Sequence, residues 1–155
     1  MTESEQLVQI TIRSGDATLC AADGGALVYR LTGRGIRALL LAVEKERVVS
    51  HGPLDWGDKL VGRAAALLFT LVRPRSVFAL TMSTGAQDVL RTASIPFACD
   101  SVILDVLNRT GTGPCPAEAA VCGIDEPLVA LETLKQVSQA LSDAGRNNAP
   151  RKGST

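Results

Sequence analysis

Aromatic residues are scarce in this chain: its 155 residues include one tryptophan, one tyrosine and three phenylalanines. Sixteen basic residues are balanced by sixteen acidic ones, so the chain has neither the stacking platforms nor the electrostatic footprint of a nucleic-acid binder. No apolar run approaches the ~20 residues that cross a bilayer. The opening stretch MTESEQLVQITIRSGD is polar and acidic ahead of its short apolar part, the wrong order for a secretory leader. A soluble, cytoplasmic protein with no membrane partner is the expectation. Four cysteines, Cys20, Cys99, Cys115 and Cys122, are too few and too irregularly spaced for a disulfide scaffold, and in the cytoplasm they stay reduced. His51 is the sole histidine.

Hydrophobic residues make up 46% of the chain. With so few aromatics, the core must be layered from Ala, Leu, Val and Ile at close backbone approach. The length suits one domain able to bury that core without staples. In ATLCAADGGALVYRL, two short strand-like runs flank Asp23-Gly24-Gly25, a turn that supplies the positive φ of a hairpin. RGIRALLLAVEKER sets Ile36, Leu39, Leu40 and Val43 on one helical face. LVGRAAALLFTL reads as a helix that is apolar nearly all round, hence mostly buried.

Ser76 to Ser83 is a buried strand, followed by a short helix that Thr84 could cap while Val89, Leu90 and Ala93 pack. Beyond it, Pro96 to Cys99 reads as a short strand and Val102 to Leu107 as a turn or helical piece. A helix then runs through Val121, another covers PLVALETLKQVSQAL, and there is no internal repeat. Strands alternating with helices after a hairpin predict an α/β fold, a three-layer α/β/α sandwich around a mixed sheet. The expected organisation is an N-terminal extension at 1–14, one domain at 15–141 and a disordered tail at 142–155, whose composition cannot support a core.

Two helix starts draw attention, because ligands of such sheets gather where free N–H groups and helix dipoles point. In GTGPCPAEAAVCG, Cys115 falls at an N-cap, Pro116 at N1 and Glu118 at N3, the reach-back position of a capping box. Structure alone explains all three. Yet a thiol is a poor cap, and a helix start favours the reactive thiolate. Cys122 lies two turns or ~10 Å further along the helix, too far to share a metal or a bond with Cys115, and reads as packing. In WGDKLVGRAAALL, Asp58 reads as an N-cap, and Lys59 in a first turn would oppose the dipole unless solvent or an anionic ligand meets it.

GDKLVGRAAALL, NRTGTGPCPAE and the earlier GRGIRALL occur in an order and spacing that resemble the 1893 domain-of-unknown-function family of prokaryotic proteins, over Ala17 to Leu141. That resemblance implies a cytidine-deaminase-like fold and, by way of the superfamily, a homo-oligomer. It brings no established activity. Zinc deaminases of that superfamily hold a catalytic zinc with a His-x-Glu at one helix start and a Pro-Cys-x-x-Cys at another. Here Asp58-Lys59-Leu60 stands approximately where the first would be expected, and Pro114-Cys115-Pro116-Ala117-Glu118 replaces the second cysteine by glutamate. Ordinary deamination is not expected.

What the resemblance leaves is a cleft shared by the two helix starts. The leading expectation is a zinc-free site, with no cofactor, for a small polar or nucleotide-like ligand. Cys115 would be the nucleophile, Asp58 or Glu118 would handle protons, and Lys59, Asn108 and Arg109 would hold the ligand. One alternative is a non-catalytic sensing or protein-interaction module with a structural Cys115. A lesser one is a metal hydrolase with Asp58, Cys115 and Glu118 as ligands, a set without the imidazole or second thiolate that makes zinc sites tight. GRGIRA also matches the G-x-G-x-x-A of dinucleotide sites. However, it follows the second arm of a hairpin, and Arg34 would crowd the pyrophosphate turn, so solvated charge is the expected role of Arg34 and Arg37.

Overall fold

A computed structural model describes residues 1–147 of the chain. Residues 1–14, expected as an extension, hold helix α1 (Glu3–Ser14). The Thr2 side chain accepts from the Glu5 N–H at 3.1 Å, and the Glu5 carboxylate accepts from the Thr2 N–H at 2.6 Å. This reciprocal capping box starts the helix, and Gly15, at φ 79°, ends it. Strands β1 (Leu19–Asp23) and β2 (Ala26–Leu31) then form the expected hairpin, with Gly24 and Gly25 at φ 56° and 79° in its turn. Helix α2 (Arg37–Val49) buries Leu39, Leu40 and Val43 as their spacing predicts.

Next come β3 (Asp55–Val61), α3 (Arg63–Thr70), β4 (Ser76–Ser83), α4 (Thr84–Thr92), β5 (Phe97–Ile103), α5 (Pro116–Ala120) and α6 (Pro127–Asn147). The strands make one mixed sheet in the order β2-β1-β3-β4-β5. β1 is antiparallel to β2 and β3, whereas β3, β4 and β5 run parallel. The result is an α/β fold consistent with a three-layer sandwich. On one face α1 packs Val8 and Ile12 against Cys20, Ala22 and Phe78. The opposite face carries the larger core, in which Leu39, Phe69 and Leu134 from α2, α3 and α6 join Trp56 of β3. The few aromatics are concentrated there: Trp56 stacks on Tyr29 at 5.3 Å between ring centroids and meets Phe69 edge-on.

Several local expectations require correction. Asp58 and Lys59 lie within β3, and α3 begins four residues after Lys59 with Gly62 at its N-cap. The stretch is a strand because it pairs on both sides, with β1 and with β4. Gly57, just before the expected cap, is a close-approach glycine: a Cβ there would run into Val8 and stand 2.9 Å from Ile12 Cγ1. α4 is capped by Ser83, whose side chain accepts from the Ala86 N–H at 3.1 Å, so Thr84 is its first helical residue. β5 continues to Ile103, through part of the expected helical piece. α6 carries residues 142–147 of the expected tail, and the remainder, 148–155, lies outside the described residues.

Candidate functional site

Where β3 gives way to α3, the chain leaves an open cleft of about 630 Å³. Its walls come from the second half of β3, the first residues of β1, the loop and first turn of α2, the start of α3 and the start of α5. Asp58, Lys59, Cys115 and Glu118 all line it. Four of the six sequence-derived site residues therefore share one hollow, although two reach it from a strand rather than a helix start.

Glu118 does not reach back to its own helix. Its Oε1 accepts from the Ala64 N–H of α3 at 3.0 Å. α3 needs this because its N-cap, Gly62, has no side chain to offer. The glycine is required in turn: a Cβ would run into the Glu118 carboxylate and lie 2.8 Å from Val106 Cγ2. Arg63, the first residue of α3, fastens the joint from the other side. It donates to the Val121 carbonyl at 2.6 Å, to the Ile124 carbonyl and to Asp125 at 2.8 Å. Burial pushes the Glu118 carboxyl above its ordinary range. The Ala64 and Arg63 N–H groups and the Arg63 charge offset part of that rise, while Asp105 adds to it.

Asp58 faces the cleft from β3 opposite Leu19 of β1. Burial pushes its carboxyl up to about 7 against the weaker pull of the Leu60 and Lys59 N–H groups. A carboxyl titrating there exchanges protons readily near neutrality, the property required of an acid–base group. Cys115 occupies the N-cap of α5, but its thiol makes no capping hydrogen bond. Its backbone is fixed by an N–H donated to the Val106 carbonyl at 3.0 Å. The side chain is partly buried, packed on the core and open to the cleft.

Asn108 and Arg109 do not border the cleft. The Asn108 side chain holds its own loop, accepting from the Thr112 N–H at 3.0 Å and donating to Thr112 Oγ1 at 3.2 Å. Arg109 is exposed. His51 is bound by Glu46, its Nδ1 2.8 Å from Glu46 Oε2. Among the described residues, no three His, Cys, Asp or Glu side chains are grouped to hold a metal ion, so Asp58, Cys115 and Glu118 share the hollow without forming a ligand set. Sequence reasoning underrated the loop before α2: Gly33, Arg34 and Gly35 form part of the wall. The GRG signal was visible, yet β2 before it pairs with antiparallel β1, not the parallel strand that a dinucleotide fingerprint needs.

A mixed five-stranded sheet with a cleft at its β3–α3 turn defines the class as α/β. Residues 8–137 match the family described as TM1506, Domain of unknown function (DUF1893), and the chain belongs to that family. Its fold is similar to the crystal structure of a DUF1893 family protein (TM1506) from Thermotoga maritima, with a TM-score of 0.78 and 20% identity over 88% of this chain and 90% of that one. No curated protein matches the chain. Among the described residues, no helix is long and apolar enough to cross a membrane.

Proposed function

We propose that the cleft binds a small polar, nucleotide-like ligand and that Cys115 and Asp58 act on it. The observation that carries this reading is the shared lining: a thiol and a carboxyl titrating near neutrality open onto a hollow of about 630 Å³, within the range of small-molecule sites. Its walls combine apolar side chains, Leu19, Ile36, Leu39 and Val106, with these few polar groups. In the chemical step Cys115 Sγ adds to an unsaturated electrophilic carbon of the ligand, the π bond between that carbon and its heteroatom opens with its electron pair moving to the heteroatom, and Asp58 takes the proton that the thiol gives up. Glu118, expected as a second proton carrier, is assigned to architecture because its carboxylate caps α3.

The reading also places the protein among cytidine-deaminase-like folds and in the cytoplasm, where the four free thiols remain reduced. None of the three helix starts at the cleft carries the full zinc-deaminase motifs: α2 opens Ile36-Arg37-Ala38, α3 opens Gly62-Arg63-Ala64, and α5 opens Cys115-Pro116-Ala117-Glu118 without the second cysteine. A second reading, ligand sensing without catalysis, is favoured by the packing of Cys115 against the core. Calorimetry with cytidine, uridine, adenosine, guanosine and their 5′-monophosphates tests the cleft. Saturable binding that disappears once N-ethylmaleimide occupies Cys115, in a protein whose other reactive cysteines are serine, supports the site. No binding from the whole panel, or binding indifferent to the adduct, overturns it. Turnover lost in Cys115→Ser with binding retained separates the catalytic reading from the sensing one.

A further inference from the structure

The two outer strands of the sheet are β2 and β5. β2 carries an extra residue, Val28, opposite Ala21 and Ala22, and an exposed cation, Arg30. A bulge and a charge are devices that keep a sheet edge from pairing with another chain. β5 has neither a bulge nor an uncompensated charge. It keeps one register with β4 from Phe97 to Ile103 and contains no proline, lysine or arginine. Its single charge, Asp100, is neutralised by Arg13 of α1 through hydrogen bonds of 2.8 and 2.9 Å. Ala98, Asp100, Ser101 and Val102 are exposed, and among the described residues no strand takes up the outer backbone groups of β5.

Such a row of N–H and C=O groups is met by another extended chain, and β5 is built to match itself. Asp100 is its central residue. A two-fold axis there sets two antiparallel copies in full overlap and keeps like faces together. On the α1 face Ala98 meets Val102 of the second copy, bringing two exposed apolar side chains into contact. On the other face Phe97 meets Ile103 and Cys99 meets Ser101. The axis itself gathers two Arg13–Asp100 pairs, so each carboxylate that faces its counterpart is flanked by a guanidinium. α4 rests on β4 and β5 alike. Neighbouring strands stand about 4.8 Å apart, which puts the two α4 helices about 10 Å apart across the seam, a distance at which helices pack.

We propose that β5 pairs with β5 of a second copy of this chain about a two-fold axis at Asp100, so that two five-stranded sheets run on as one. None of the pairing residues lines the cleft, so the dimer does not depend on what the cleft binds.

Sedimentation equilibrium of the full chain tests the pairing, and a reversible dimer is expected. Val102→Lys, which sets a cation in the seam, should weaken it at least tenfold. Arg13→Gln leaves two bare carboxylates opposed and should weaken it as much, whereas Arg13→Gln/Asp100→Asn should recover most of that loss. Unchanged circular dichroism confirms that each variant is folded. The register is read by Ala98→Cys and Val102→Cys in a protein whose Cys99 and Cys122 are serine. Under mild oxidation the two variants should link to each other when mixed, and neither should link to itself, because like positions lie too far apart for a disulfide. A chain that stays monomeric, or a dimer whose affinity survives both Val102→Lys and Arg13→Gln, would overturn the β5 pairing. Ala98→Cys linking to itself would overturn the axis at Asp100.

Discussion

Glu118 fills the space that a side chain on Gly62 would need, and from there it caps the helix that Gly62 begins. A residue on α5 thus supplies the N-cap of α3 across 54 positions of sequence. The arrangement fixes one wall of the cleft, because the same contact joins α5, and with it Cys115, to the end of β3.

Glu118→Ala should destabilise the fold by about 1–3 kcal/mol through loss of the cap and a partly buried acceptor. Gly62→Ala should cost a similar ~1–3 kcal/mol through overpacking against Val106 and Glu118. The two residues touch, so the effects should not add. Gly62→Ser in the Glu118→Ala background should recover part of the loss by capping α3 locally. Urea unfolding of the four proteins measures this; a double variant no more stable than Glu118→Ala alone would contradict the cap exchange.

Asp58 gives the molecule a pH signature. A carboxyl raised from 3.8 to about 7 favours the folded state below its unfolded value, and that contribution is lost as pH climbs through the folded one. Asp58→Asn should therefore stabilise the protein relative to the parent by an amount that grows between pH 5 and pH 8, on the order of 1–3 kcal/mol. Thermal midpoints across that range provide the check. A constant difference would mean that Asp58 titrates normally.

Glu46 should produce the opposite trend. Burial raises its carboxyl, but hydrogen bonds from the His51 ring and backbone and from the Tyr29 hydroxyl outweigh burial and hold it below its ordinary value. Its contribution is present above the unfolded carboxylate pKa and fades as pH falls through the folded one. Glu46→Gln should cost about 1–3 kcal/mol at pH 7, and the difference from the parent should narrow on acidification. Chemical unfolding at pH 7 and pH 4 measures both.

The four thiols should separate in reactivity by environment. Cys20 is fully buried, and burial, aided by the Asp58 charge, pushes its thiol up to about 12, so it should remain unmodified in the folded protein. Cys122, which the sequence reads as packing, is exposed instead and should be labelled well before Cys20. Peptide mapping after brief iodoacetamide treatment distinguishes them, and Cys20 labelled as readily as Cys122 would contradict the packing beneath α1.

Much of the fold was legible in the residues. β4 runs from Ser76 to Ser83 as its apolar run implied, and the hairpin turn sits at Gly24 and Gly25. α1 was also visible in principle, since Thr2 followed by Glu5 spells a capping box. Its sparse apolar face, Val8 and Ile12, concealed it. Asp58 looked like a cap because Gly-Asp-Lys before an apolar run has the local grammar of a helix start; pairing with two neighbouring strands overrode it. The meeting of Asp58, Lys59, Cys115 and Glu118 followed from the resemblance rather than from local pattern. The Glu118–Ala64 bond had no local signal, since only tertiary contact joins those positions.

The most direct test of the proposed site is the rate of Cys115 alkylation in a folded protein whose Cys99 and Cys122 are serine, with and without the 5′-mononucleotides of the binding panel. The expected result is that iodoacetamide reaches Cys115 in the folded protein and that a bound nucleotide slows it, because the thiol opens onto the cleft. A Cys115 that labels only on unfolding, or a rate unmoved by every nucleotide, would contradict a working site in the cleft.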